Sequence, residues 1–195
     1  MSDHGDGNAG PRIEAVTFLA RAEAERSLME EVVARTSRRL AVPCRLHLAP
    51  WDQDAKRLAG RDQYDADALL HGLEAGNTPG TVCVGLTGHD LGLLLFTFVF
   101  GRARRHGHSA IVSLARLGPE RYGLSPDPDL TARRAVAEVL HEIGHVAGLV
   151  HCGDMNCIMY FATNVETIDL RGMGFCPACA AALPPHLVAS TAVQA

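Results

Sequence analysis

Residues 141–151 restrict the possible folds of this 195-residue chain more than any other segment. His141 and His145 are four positions apart, and this spacing places both side chains on one face of a helix. Gly148 lacks a Cβ atom, so it can adopt a positive φ, end the helix and bring His151 to the same point. The pattern therefore predicts three imidazole ligands for one zinc ion, with a coordination position left for water.

Glu142 follows the first histidine directly and can reach that water as a general base, which is the arrangement of a catalytic rather than a structural zinc site. The alternative is three histidines scattered along a helix for solubility. In a chain with 10 His and 19 Gly, the complete pattern is expected by chance only about 0.0001 times. The metal site is therefore the favoured interpretation.

The composition limits the class of protein, its binding partners and its location. A chain that is 47% hydrophobic and 21% charged is typical of a soluble globular protein, and its length suits a single domain. Its net charge of −4 gives no general basis for nucleic-acid binding. Residues 1–11 are expected to be a disordered N-terminus without a signal peptide. The apolar run 91–100 is too short for a membrane helix. We expect a cytoplasmic protein that binds neither nucleic acid nor membrane and keeps its thiols reduced.

Hydrophobic periodicity predicts an α/β (α+β) order of elements. The predicted elements are helices at 12–40 and 64–75, strands at 44–49, 81–87, 93–102 and 110–117, and loops at 76–80 and 119–128. The strands 93–102 and 110–117 form a predicted antiparallel hairpin. Asp127 is placed to cap the helix that carries the histidines, and Pro128 to occupy its first turn.

One face of that helix is apolar, and the opposite face carries the histidines. The predicted core face comprises Val136, Val139, Leu140, Ile143, Val146 and Ala147. Arg134 and Glu138 fall on the histidine side, where they could support the site or line a cleft; a plain surface ion pair is the alternative.

Four cysteines follow the histidines closely. Cys152 is adjacent to His151, Cys157 lies five residues later, and Cys176 and Cys179 form a C-x-x-C pair. Two short-range pairs of thiolates predict a closed tetrahedral zinc site; two ordinary thiols beside a redox C-x-x-C are the alternative. Cys44 and Cys83 lie in predicted strands and are expected to be small buried hydrophobes.

The complete pattern, H-E-x-x-H-x-x-G-x-x-H-C followed by C-x-M and C-x-x-C, resembles the archaemetzincins, a branch of the metzincin metallopeptidases. The motifs cover residues 140–180, and the segments Phe98-Val99-Phe100-Gly101 and Ser113-Leu114-Ala115-Arg116-Leu117 also resemble that family. The resemblance implies a catalytic zinc at His141, His145 and His151, with Glu142 as general base and Met159 in a methionine-containing turn. It also implies a second, structural zinc at Cys152, Cys157, Cys176 and Cys179.

The implied fold is a metzincin-like domain at 12–195 with a twisted mixed sheet, an active-site helix, and a small zinc-stabilised C-terminal subdomain. An upper subdomain would span about 12–148 and a lower one about 149–195. In metzincins an antiparallel edge strand pairs with extended substrate, and 93–102 is the candidate here. Phe161 stands where some metzincins have a tyrosine, so no catalytic tyrosine is assigned.

The implied activity is hydrolysis of peptide bonds in a peptide or protein substrate, with aminopeptidase action as one form of it. One alternative is a zinc-dependent regulatory or interaction protein without useful turnover. Another makes the four-cysteine unit a nucleic-acid or protein-interaction module, and the acidic balance disfavours its nucleic-acid version.

Overall fold

The computed structural model describes residues 13–20, 26–49, 56–74 and 78–188. The strands are β1 (Ala15–Ala20), β2 (Cys44–Leu48), β3 (Tyr64–Asp65), β4 (Thr81–Thr87), β5 (Leu91–Leu93), β6 (Phe96–Val99), β7 (Gly101–Ala103) and β8 (Ser109–Ser113). The α-helices are α1 (Arg26–Arg39), α2 (Ala66–Glu74), α3 (Pro128–Val146), α4 (Val165–Leu170), α5 (Pro177–Ala182) and α6 (Pro185–Val188), and a 3₁₀ turn spans Pro119–Tyr122. The predicted disordered segment 1–11 lies outside the described residues.

A five-stranded mixed sheet organises the fold in the order β2-β1-β4-β8-β7. The first four strands are parallel, and β7 runs antiparallel to β8 at one edge. A smaller sheet, β3-β5-β6, pairs β5 and β6 as an antiparallel hairpin. The predicted α/β class with a mixed sheet is confirmed.

Side chains alternate across the main sheet, so each strand contributes to two layers. Val84 of β4 and Val112 of β8 join the large core under α1 and α3. Cys83 and Ile111, one residue earlier on each strand, face α2 in a smaller cluster. Because both faces are covered, the central strands are buried along nearly their whole length, as in other parallel sheets.

The large core continues past residue 148 without interruption. Ile158, Met159, Ile168 and Phe175 belong to the same buried cluster as the apolar face of α3. The segment after α3 is thus packed onto the helix that carries the motif. The division into upper and lower subdomains stays a prediction. Among the described residues, no helix combines the length and apolar character needed to cross a bilayer.

Several predicted elements are wrong in part. The predicted helix 64–75 starts with strand β3 at Tyr64–Asp65, and the predicted strand 110–117 ends at Ser113. Two others differ more. The N-terminal portion of the predicted helix 12–40 is strand β1, in which Val16, Phe18 and Ala20 are buried in strict alternation; the helix begins only at Arg26 within the described residues. The predicted strand 93–102 is divided, because the chain turns at residues 94–95 and breaks again at Phe100. The predicted antiparallel pairing survives in β7 and β8.

Candidate active site

Helix α3 starts as its sequence predicts. Pro128 occupies the first turn, and the Asp127 side chain accepts a hydrogen bond of 3.0 Å from the Leu130 N–H, satisfying one of the open donors at the helix start. All six residues of the predicted core face are buried: Val136, Val139, Leu140, Ile143, Val146 and Ala147. The helix is therefore fixed on one side by the core and directs its other side into a cavity.

The three histidines converge on one point. The Nε2 atom of His145 lies 3.1 Å from Nε2 of His141 and 3.3 Å from Nε2 of His151. Nitrogen lone pairs that face one another at this distance repel, whereas one cation between them would hold all three rings. The donor set and its spacing fit zinc.

Backbone carbonyls orient two of these rings. Nδ1 of His141 lies 2.8 Å from the Ile158 carbonyl, and Nδ1 of His145 lies 2.9 Å from the Leu149 carbonyl. Because a carbonyl oxygen only accepts, the ring proton belongs on Nδ1, which leaves the Nε2 lone pair for a metal. Burial lowers the pKa of His141 well below its usual value and also lowers the pKa of His145 and of His151. The rings are thus kept in the neutral form that binds metal.

Gly148 makes the turn that delivers His151. Its φ is +103°, and the Leu149 N–H donates to the Gly144 carbonyl at 2.9 Å as the helix ends. A Cβ at this position would also lie only 2.5 Å from the His106 ring. Both the backbone conformation and the close approach require glycine here.

Glu142 lies buried against the edge strand. A Cβ on Gly101 of β7 would be 2.6 Å from its Oε1 atom, so this glycine gives the carboxylate its place. Burial raises the pKa of Glu142 well above its usual value, and the neighbouring Glu138 carboxylate raises it further. A carboxylate with a raised pKa is a stronger base, as proton abstraction near neutral pH requires.

Sequence reasoning missed Arg171, which lies in the floor of the site. Its Nη2 atom donates to Glu138 Oε1 at 2.5 Å, and its Nη1 atom donates to the Tyr160 carbonyl at 3.1 Å. Nη1 also contacts Nδ1 of His141 at 3.3 Å. Arg171 follows α4 in the sequence, and no motif surrounds it. Only its contact with Glu138, 33 positions earlier in the chain, identifies it as a site residue.

The two α3 residues predicted on the histidine side have different surroundings. Glu138 is buried and lines the cavity, as expected of a supporting residue. Arg134 is buried away from it, donating to Asp169 Oδ2 at 2.6 Å and to the Leu117 carbonyl at 2.6 Å. A surface ion pair between them is therefore wrong, because each pairs with a residue from the segment after α3.

The four predicted cysteine ligands also come together. The sulfur atoms of Cys152, Cys157, Cys176 and Cys179 lie within 4.8 Å of one another, and none is in a disulfide. Backbone N–H groups already point at the cluster, since the Cys176 N–H donates to the Cys157 sulfur at 3.3 Å. Four sulfurs in a compact group fit a closed zinc site.

Met159 joins the two donor sets. It is completely buried beneath α3, where a Cβ on Gly144 would lie 2.5 Å from its sulfur. The Cys152 N–H donates to the Met159 carbonyl at 2.9 Å, so the cysteine loop and the segment under the histidines share a hydrogen bond. Cys44 and Cys83 lie apart, and burial raises the pKa of each thiol to about 11.

A cavity of about 440 Å³ contains the histidines and Glu142. Strand β7 and the β5–β6 hairpin line this cavity, and so do Val150 and Phe161. The Phe161 ring lies 4.7 Å from the His151 ring, between centroids. The site is therefore an open cleft beside an edge strand.

The chain is similar in sequence and structure to known proteins. The model of peptidase family M54 matches residues 57–184. The chain belongs to this family. Among curated relatives, the archaemetzincin of Methanocaldococcus jannaschii is 40% identical over 119 residues, which are 61% of this chain and 65% of that protein. The alignment thus spans slightly less than two thirds of that relative.

Two solved archaeal structures are similar over nearly their full length. A zinc-dependent peptidase from Methanocorpusculum labreanum is 28% identical, with a TM-score of 0.77, covering 87% of this chain and 100% of that one. The archaemetzincin of Archaeoglobus fulgidus, complexed with malonate, is 28% identical, with a TM-score of 0.73, covering 87% and 99%. The fold of this M54 chain is that of archaemetzincins.

Proposed function

We propose that this chain is a zinc-dependent peptidase that hydrolyses peptide bonds in peptide or protein substrates. The observation that carries this proposal is the meeting of three histidine Nε2 atoms beside a buried Glu142 in an open cleft. The similar zinc-dependent peptidase from Methanocorpusculum labreanum supports it.

His141, His145 and His151 would hold the catalytic ion, and the four-cysteine cluster would hold a second, structural one. A zinc ion in the histidine site supplies Lewis-acid chemistry, lowering the pKa of water and polarising a carbonyl group. The expected content is two zinc ions per chain, one in each group of ligands.

Glu142 performs the proton transfers in this proposal. Its carboxylate takes a proton from the attacking water and passes it to the departing amine as the C–N bond breaks. Burial keeps bulk water away from the carboxylate, so the proton is retained between the two transfers. Arg171 and Glu138 hold the floor beneath the histidines, and the Glu138 carboxylate also raises the pKa of the base.

Strand β7 supplies a means of binding substrate. It is the last strand in the sheet order and lines the cleft, so its outer edge can pair with an extended peptide. Strand β7 includes only residues 101–102 of the segment 93–102, which the sequence predicted to be the substrate-pairing edge strand. Backbone pairing with β7 would align the scissile bond of the substrate. The choice among substrate side chains would then depend on the residues that line the cleft.

Glu142→Gln tests the chemistry with little change in shape. We expect kcat/KM on a fluorogenic peptide library to fall at least about 100-fold, because the general base is lost. Zinc content by native mass spectrometry should be unchanged. Glu166→Gln, an exposed carboxylate outside the cavity, is the matched control and should retain activity.

Full hydrolysis by the Glu142→Gln protein would refute the role of the base. If the wild-type protein binds zinc but cleaves no peptide, and a hydroxamate chelator changes nothing, the non-catalytic zinc-binding alternative is correct. Aminopeptidase action is a finer expectation from the family resemblance. Paired peptides with free and acetylated N-termini test it, because an aminopeptidase cleaves only the free form.

A further inference from the structure

The β5–β6 hairpin carries an apolar surface that leads into the cleft. Phe96, Phe98 and Val99 line the same cavity as His141 and Glu142. The lining residues from 93 to 100 carry no charged side chain. This wall can therefore contact apolar groups without desolvating a charge.

The apolar surface continues beyond the mouth of the cavity. Leu94 is 90% exposed, Leu95 is 92% exposed and Phe96 is 51% exposed at the tip of the hairpin. Contiguous exposed apolar residues beside a concave site mark a binding surface, because their exposure to water is unfavourable until they are covered. Because this apolar surface is continuous with the cleft, the molecule that covers it is the peptide chain that enters the cleft.

The tip is held in place from below. The Arg61 guanidinium donates to the carbonyls of Leu93 and Phe96, each at 2.8 Å, and also to the Thr97 carbonyl. Its Nε atom donates to the Gln63 side chain at 2.8 Å. Bonds from one planar group to three carbonyls hold the backbone of the turn, which lowers the backbone part of the ordering cost at binding.

A glycine allows this support. A Cβ on Gly92 would lie 2.8 Å from Arg61 Nη2 and 2.9 Å from a Leu58 methyl carbon. The Gln63 side chain also donates to Asp90 at 3.1 Å, which anchors the other end of the network. Three backbone carbonyls of the hairpin are thus bonded by Arg61, while the side chains of Leu94, Leu95 and Phe96 are exposed.

We propose that this hairpin selects substrates by binding a large apolar side chain close to the scissile bond. The suited residues are leucine, methionine and phenylalanine, which can bury apolar surface against Leu94, Leu95 and Phe96 at the tip and against Phe161 in the cavity. The inference rests on the proposed peptidase function and adds the class of substrate to it.

The test uses zinc-loaded wild-type protein and quenched fluorogenic heptapeptides, each with phenylalanine or serine at one position in turn. At one position near the cleaved bond, phenylalanine should raise kcat/KM at least about tenfold over serine. The Phe96→Ser variant and the Leu94→Ser/Leu95→Ser variant should reduce that preference toward unity, mainly by lowering kcat/KM on the phenylalanine peptide. Leu124→Ser, another exposed leucine outside the cavity, is the matched control and should keep the full preference.

A second arm separates this inference from the peptidase proposal. Zinc-loaded Glu142→Gln protein is titrated with the same phenylalanine and serine peptides, and Kd is measured by fluorescence anisotropy. About tenfold tighter binding of the phenylalanine peptide, lost in the hairpin variants, supports the inference even if the wild-type protein cleaves nothing. Equal affinities, or cleavage without apolar preference, overturn it and leave the peptidase proposal intact.

Self-association is the competing use of this surface. If sedimentation shows that Leu94→Ser/Leu95→Ser converts a dimer to a monomer while the phenylalanine preference is unchanged, the hairpin is a contact between copies and the inference is wrong.

Discussion

At the scale of single residues, the floor of the site depends on a charge pair that water does not reach. The side chains of Arg171 and Glu138 are 1% and 4% exposed, and their closest approach is 2.5 Å. Arg171 also contacts the His141 ring and the Tyr160 carbonyl, so its loss would affect the first predicted zinc ligand. The pair therefore links stability to metal binding.

Arg171→Met should destabilise the protein by about 3–5 kcal/mol, because it leaves the Glu138 carboxylate buried without a partner. The double variant Arg171→Met/Glu138→Gln should lose less, since the stranded charge is removed too. Arg26→Met provides the control: it breaks an exposed pair with Glu30 and should cost below about 1 kcal/mol. Urea unfolding of the four proteins measures each cost. A double variant as unstable as Arg171→Met would contradict the explanation.

The site residues differ in how far the sequence identifies them. His141, Glu142 and His145 are predictable because helical spacing alone places them together, and Gly148 explains how His151 follows. Arg171 is not predictable, because its position depends on the packing of residues after α3 against the helix. The same holds for Arg61, whose three carbonyl partners lie more than 30 positions away.

At the scale of elements, α3 and the methionine segment beneath it are in direct contact. Gly144 lies between His141 and His145 on the helix, and Met159 and Phe175 lie against it. Both partners are fully or almost fully buried, so neither can move aside freely. The absence of a side chain at residue 144 sets the spacing of the two segments.

Gly144→Ala should therefore lower the free energy of unfolding by about 1–3 kcal/mol, because the added methyl group overpacks the contact with Met159 and Phe175. Gly72→Ala on α2 is the matched control. No atom lies within 4 Å of the added Cβ there, so removing glycine from a helix should stabilise by about 0.5–1 kcal/mol. Opposite shifts in the urea midpoint are expected, and equal shifts would mean that Met159 gives way without cost.

Elements differ in predictability for a physical reason. Helix α3 has a capping residue, a proline and one apolar face, so local signals agree with the tertiary structure. Strand β1 was wrongly assigned to a helix, because its partners β2 and β4 come from distant parts of the chain and its short alternation precedes a charged helical segment. The hairpin turn at residues 94–95 was missed, because its apolar residues carry no turn signal and Arg61 holds them from outside.

At the scale of the whole molecule, the cysteine cluster and the histidine site share one segment of chain. Cys152 adjoins His151, and its N–H donates to the Met159 carbonyl. Cys157 adjoins Ile158, whose carbonyl orients the His141 ring. The cysteine cluster therefore helps to position the predicted zinc ligand His151 and the carbonyl that orients the ligand His141. It also helps to position the methionine beneath α3.

Loss of metal from the proposed zinc site at the four cysteines should consequently weaken the histidine site. Cys176→Ser should destabilise the fold and weaken zinc binding at the histidines at least about tenfold, because supporting contacts typically contribute 10- to 100-fold to affinity. Cys83→Ser, a buried cysteine outside the cluster, is the control and should retain both affinities. Zinc competition with a chromogenic chelator measures the two binding constants.

Thiol labelling of the wild-type protein tests the same coupling without a mutation. At pH 8 the metal-loaded protein should react slowly, because the cluster sulfurs are ligated and burial raises the pKa of Cys44 and of Cys83 to about 11. Only about one in a thousand of those two thiols is then ionised, and their rates should rise about tenfold per pH unit below pH 11. Stepwise addition of a mercurial should form a mercury–sulfur bond at each of the four cluster cysteines, displace the zinc that they hold, and release zinc from the histidines in parallel. Release of the cysteine-bound metal with undiminished peptide hydrolysis would show that the two sites are independent.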